Sequence, residues 1–114
     1  MLGTKTFVIP IETVRNHAEW SERTFGPEKG PAGPLRHLAK EAIEAAEAPT
    51  REHRLEELAD CTFLLLDAIR RANLTAEELV EAMDRKQKIL NNRTYRRTAE
   101  GEPAEHDRSI PDKA

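Results

Sequence analysis

Glu57-Leu-Ala-Asp-Cys-Thr-Phe-Leu-Leu-Leu-Asp-Ala-Ile69 is the stretch that decides how this chain folds. It holds neither glycine nor proline, and from Leu58 onward only Asp60 and Asp67 interrupt an apolar run. The pattern predicts a helix from about Arg51 to Ala72, with Leu55, Leu58, Ala59, Thr62, Leu65, Leu66 and Ile69 on one broad face. Glu57, Asp60, Leu64 and Asp67 recur on another face. A helix apolar over so much of its surface is expected to be central, contacted on most sides, with its acids partly buried. An unpaired charge in such a place costs several kcal/mol, on the order of a buried ion's desolvation.

A second acidic motif, Glu41-Ala-Ile-Glu44, lies 12 residues before Glu57-Leu-Ala-Asp60. Residues three apart share a helix face, so two such helices packed together bring Glu41, Glu44, Glu57 and Asp60 to one site. Converging carboxylates repel unless a cation sits among them. Hard oxygen ligands suit Mg²⁺, with Mn²⁺ as a substitute, and magnesium is usually held by a few carboxylates plus substrate phosphates. The spacing therefore points to phosphate chemistry. It leaves a structural alternative open, in which Asp60 or Asp67 pairs with Arg70, Arg71 or a lysine from another helix. Glu-x-x-Glu by itself is common on helix surfaces, and Glu44 and Glu47 also fit the spacing.

Around this centre the chain reads as all-α. Phe7-Val8-Ile9 before Pro10 reads as an arm or short strand. Ile11, Val14, Ala18 and Phe25 form the stripe of a first helix, ended by Gly26-Pro27. Residues 26–34 hold three glycines and three prolines and are expected to form a turn-rich loop. A second helix runs from about Pro34 to Ala48, stopped by Pro49, with Leu35, Leu38, Ala42, Ala45 and Ala46 as its apolar face. His37 shares a stripe with Glu41 and Glu44. Thr75-Ala-Glu-Glu78 is a capping box that opens a fourth helix, continued by Leu79, Val80, Met83 and Leu90. The expected architecture is a four-helix bundle over residues 1–95, completed by oligomerisation, with 96–114 an extended or disordered tail.

Composition narrows the function classes. With 114 residues the chain makes one domain, and its 34% charged and 4% aromatic content favours helices. A net charge of −3 without a basic block argues against an extended nucleic-acid footprint. Cys61 is the single cysteine, so no internal disulfide forms, and its apolar surroundings make it a core residue. No signal-peptide pattern and no membrane-length apolar run occurs, so a cytoplasmic protein without membrane contact is expected.

Ser21-Glu-Arg-Thr-Phe-Gly-Pro27, Gly33-Pro-Leu-Arg-His-Leu-Ala-Lys-Glu-Ala-Ile-Glu44, residues 57–68, Lys86-Gln-Lys88 and Arg93-Thr-Tyr95 together resemble the MazG-like all-α nucleoside triphosphate pyrophosphohydrolases. Among these, the chain looks most like the dATP/dGTP diphosphohydrolase-like branch. The likeness spans roughly residues 18–95, and the ending Gly101-Glu-Pro-Ala-Glu-His106 is also similar to tails in that branch. It implies a helical bundle, assembled as a homodimer or homotetramer, that uses Mg²⁺ to cleave an NTP or dNTP into the monophosphate and pyrophosphate. It also implies Glu41, Glu44, Glu57 and Asp60 as metal ligands, with Glu41 or Glu44 as the base. Two positions depart from the family pattern. Lys40 stands where many relatives have a further glutamate. Leu90 occupies the position of an asparagine in the fourth helix, with Asn91 displaced by one.

On this resemblance Lys86 and Arg93 supply positive charge to the phosphates, and Asn91 a polar contact. Trp20 lies off the apolar stripe of the first helix, near Asn16, His17 and Thr24 on the wheel. Two readings stand for it: stacking on the nucleobase while Asn16 reads the base edge, or filling a subunit interface. His37 is either a partner that orients a carboxylate or an ordinary exposed histidine. Asp67 reaches a sugar hydroxyl or a second metal, or makes a buried pair with an arginine. The rival from another class is a non-catalytic nucleotide-binding or scaffold oligomer. A di-iron bundle is disfavoured, because neither motif carries the Glu-x-x-His pairing such sites use.

Overall fold

The computed structural model describes residues 9–26 and 30–113. Most of the arm expected over residues 1–10, and the centre of the turn-rich loop at 27–29, lie outside them. Four helices occur among the described residues: α1 (Ile11–Phe25), α2 (Ala32–Glu47), α3 (Arg51–Arg71) and α4 (Ala76–Asn91). The fold is all-α, with one two-stranded ladder. No helix among the described residues is long and apolar enough to cross a membrane. The chain divides into two compact units between Leu74 and Thr75.

In the first unit α2 and α3 form a hairpin, the most extensive helix pairing, and α1 packs more lightly on α3. The hairpin corner is specified locally. Pro49 disfavours helical backbone at Ala48, whose ψ is 132°, so α2 stops there. Thr50 then caps α3, its hydroxyl accepting from the His53 N–H at 3.1 Å. Arg54 turns back and donates to the Ala45 and Ala48 carbonyls, both at 3.1 Å, satisfying acceptors that the end of α2 leaves open. At the far end of α3, Asn73 takes a left-handed conformation (φ 59°) and the Leu74 N–H returns to the Ile69 carbonyl at 3.2 Å.

The inner stripe of α2 is Pro34, Leu38, Glu41, Ala45 and Ala48; that of α3 is Glu57, Cys61, Leu64, Ala68 and Arg71. Ala45, Ala48 and Ala68 are buried, and their small side chains allow the helices to approach closely. This corrects the expected packing face of α3. Leu55, Leu58 and Leu65 remain about half exposed in the single chain, while Glu57, Leu64 and Asp67 of the acid-bearing face turn inward. Asp60, expected to be partly buried, is exposed, whereas Asp67 is only 6% exposed. On α1 the inward residues are Val14, His17, Ala18 and Ser21, while Ile11 and Phe25, expected in its core stripe, face solvent.

In the second unit the Thr75 capping box is formed at both ends. The Glu78 N–H donates to Thr75 Oγ1 at 3.1 Å, and the Thr75 N–H donates to Glu78 Oε1 at 3.0 Å. Beyond α4, β1 (Tyr95–Arg96) pairs antiparallel with β2 (Glu105–His106) in the register Tyr95 with His106 and Arg96 with Glu105. Gly101, at φ 85°, supplies a turn conformation between them. The Lys113 N–H returns to the Asn92 carbonyl at 2.8 Å, tying the last described residues to the end of α4.

Candidate active site

Glu41 from α2 and Glu57 from α3 occupy the inner stripes of the hairpin, with Glu44 one turn along α2. One carboxylate oxygen from each of the three lies within 4.8 Å of the others. Glu44 is the solvent-facing member. Asp60 stands outside this triad and lines a neighbouring cavity together with Glu41.

Like charges so close cannot all ionise freely. Glu57 is pushed up from 4.5 to about 7, first by hydrogen bonding with the Glu41 carboxyl, then by burial and by the charges of Glu41 and Glu44. Glu41 moves the other way, below its ordinary value, chiefly because it accepts that shared proton from Glu57 and is also hydrogen-bonded with Glu44. Glu57 Oε2 is buried, and no donor among the described residues reaches it. Oxygen donors converging with a surplus of negative charge and an unserved buried oxygen fit a hard divalent cation.

Each inner glutamate has a histidine one helical turn before it. His37 Nε2 is 3.2 Å from Glu41 Oε1, and His53 Nε2 is 3.4 Å from Glu57 Oε1. The sequence reading singled out His37 and missed His53, although the spacing of four to its glutamate is the same in both helices.

Beside the triad a cavity of about 290 Å³ is lined by His17, Trp20, Phe25, His37, Glu41, Asp60, Phe63, Leu64 and Asp67. Its aromatic wall is ordered. His17 lies flat on Phe63, with centroids 4.1 Å apart at 7°; Trp20 is 5.3 Å from His17, and Phe25 meets Trp20 edge-on at 5.5 Å. Trp20 is 46% exposed. An aromatic wall next to a carboxylate cluster can hold a flat ring at one end of a ligand and a metal-bound polyphosphate at the other.

Asp67, at the edge of the same cavity, belongs to a polar network whose arginine pairing was among the expected alternatives and whose bond to Ser21 was not. Ser21, with no exposed surface, donates to Asp67 Oδ2 at 2.6 Å and accepts from Arg71 at 3.2 Å. Arg70 donates to Asp67 Oδ1 at 3.2 Å and pairs with Glu22. His17 Nε2 is 3.6 Å from Asp67 Oδ2. Of the roles considered for Asp67, the structure contains the buried pair with an arginine.

The remaining sequence-selected residues belong to the second unit. Lys86 is exposed on α4, Asn91 accepts from Gln87 Nε2 at 2.9 Å, and Arg93 Nε is 4.0 Å from Asp112 Oδ2.

The helical hairpin thus gathers glutamates from the E-x-x-E and the E-x-x-D motif at one place, the arrangement that the MazG-like resemblance implies. Residues 13–113 match the model of the family described as dATP/dGTP pyrophosphohydrolase, and the chain belongs to that family of hydrolases acting on phosphoric anhydrides. The Eaa protein of Salmonella phage P22 is 45% identical over 98 residues, covering 86% of this chain. The matched region spans 30% of that phage protein's length. No solved structure matches.

Proposed function

We propose that this chain is a divalent-metal-dependent nucleotide pyrophosphohydrolase that converts a dNTP or NTP into the monophosphate and pyrophosphate. Its purine deoxynucleotide preference would follow the family's description. The observation that carries the reading is the triad of Glu41, Glu44 and Glu57 with oxygens within 4.8 Å, beside an aromatic-walled cavity.

In this reading Glu41, Glu44 and Glu57 hold Mg²⁺, or Mn²⁺ in its place, and Asp60 completes the set from the rim of the cavity. When bound, the ion neutralises triphosphate charge and makes water more acidic. Glu44, the solvent-facing carboxylate, is the better placed base, with Glu41 the alternative; either takes the proton of the attacking water at a carboxylate oxygen. His37 and His53 hold Glu41 and Glu57 in orientation through their Nε2 atoms, and both glutamates remain oxygen donors. Trp20, Phe63 and His17 take the flat face of the base. Lys86, Arg93 and Asn91 are assigned to the phosphates and sugar by family resemblance. The functional unit is taken as residues 1–95, acting as a homodimer or homotetramer on free cytoplasmic nucleotides, with 96–114 as its tail.

The test is a panel of NTPs and dNTPs with Mg²⁺ or Mn²⁺, products resolved by chromatography, beside Glu44→Gln and EDTA controls. Monophosphate and pyrophosphate from wild type, lost with EDTA and reduced at least about 100-fold in Glu44→Gln, is the expected result. Absence of turnover with retained nucleotide binding would instead favour a non-catalytic nucleotide-binding scaffold.

A further inference from the structure

The network around Asp67 joins α1 to α3 through hydroxyl, carboxylate and guanidinium groups. A buried ionic group adds little stability over well-packed apolar residues, yet it constrains geometry in ways that apolar contacts do not. Both Asp67 oxygens accept hydrogen bonds, from Ser21 on α1 and from Arg70 on its own helix, and Ser21 in turn accepts from Arg71. This cross-helix bond adds a directional restraint to a helix that packs only lightly on α3 and whose other inward residues include the small Ala18.

Ser21 follows Trp20 directly and comes four residues after His17, so one rotation of α1 moves all three together. At a side-chain radius of about 5–6 Å, a 20° rotation shifts a helix surface group by about 2 Å. Displacements of this size weaken ligand positioning strongly. The His17 stack on Phe63 joins the same two helices and also touches the network, with Nε2 at 3.6 Å from Asp67.

We infer that Asp67 is a positioning residue for the ring pocket: through Ser21 and His17 it sets the rotation of α1 on α3, and so the distance of Trp20 from the carboxylate triad. This rests on the reading of the cavity as the nucleobase site. Asp67 lies at the edge of the cavity and touches neither phosphate nor metal in this scheme; it acts through the aromatic wall.

The test uses the full chain with Asp67→Asn and Ser21→Ala, and dATP and dGTP with Mg²⁺ as probes. Trp20 is the single tryptophan, so its fluorescence reports the pocket directly. Both variants should keep wild-type helicity and Mn²⁺ affinity, with KM raised about ten-fold and kcat within about two-fold, the scale of one lost charged hydrogen bond. The nucleotide-induced change in Trp20 emission should shrink at equal saturation. Unchanged KM in both variants, or a fall in kcat alone that tracks lost helicity, overturns the inference. Should Asp67→Asn not fold, Ser21→Ala, which removes one oxygen, decides alone. Phe63→Ala separates the two levels. If it raises KM while the Asp67 and Ser21 variants do not, the cavity reading stands and the positioning role falls. If wild-type Trp20 emission ignores both nucleotides and Phe63→Ala changes nothing, the cavity reading and the inference fall together.

Discussion

Glu57 couples the chemistry of the triad to the stability of the fold. Its carboxyl rises from 4.5 to about 7 on folding, so the folded state holds an extra proton between those values. The stability this contributes is full below pH 4.5 and is lost as pH rises through about 7. Glu41 has the opposite sign: its contribution is present above its ordinary value of 4.5 and is lost only as pH falls through its lowered value, outside that interval. The Tm of the metal-free protein is therefore expected to fall as pH is raised from about 4.5 to about 7, and Glu57→Gln to flatten the slope. A wild-type profile that rises across this window contradicts the shared-proton arrangement. Mg²⁺ should raise Tm more above pH 7 than at pH 5, because binding must displace the proton that Glu57 keeps at low pH. Both acidic motifs were legible from spacing alone. The imbalance between their members was not, because it arises across two helices.

At the scale of elements, the hairpin corner depends on a few side chains. Arg54→Ala removes both bonds to the α2 carbonyls and is expected to lower stability by about 1–2 kcal/mol in urea denaturation. Thr50→Ala, which removes the α3 cap, should cost about 1 kcal/mol by the same measurement. An unchanged midpoint in both variants would show that the corner is held by alanine packing instead. The prolines and the Thr75-x-x-Glu78 box made the helix limits readable to within about two residues, since each acts on the backbone next to it. The packing face was harder to read. The leucines of α3 outweigh alanine on any hydrophobic scale, yet Ala45 and Ala48 at the end of α2 and Ala68 of α3 are the buried residues and Leu58 is left 48% exposed.

That exposed face belongs to the whole molecule. Leu55, Leu58 and Leu65 lie on one side of α3, and a fully buried leucine contributes roughly 1.5–3 kcal/mol relative to an exposed one. Self-association through this face is the expected outcome. Sedimentation equilibrium should find a dimer or tetramer in wild type, and a shift towards monomer in the Leu58→Glu, Leu65→Glu double variant. A monomeric wild type would leave the α3 leucines as simple surface. By itself the sequence determined four helices, their limits, the pairing of the two acidic motifs and a family resemblance, because periodicity, caps and spacing are local properties of a chain. Only the tertiary structure decided that Glu57 meets Glu41 and Glu44 while Asp60 lines the cavity beside them, that Trp20 stands over that same cavity, and that Asp67 is bonded to Ser21. Those relations join residues up to 46 positions apart, and a helical wheel leaves open which way each helix turns against its neighbour.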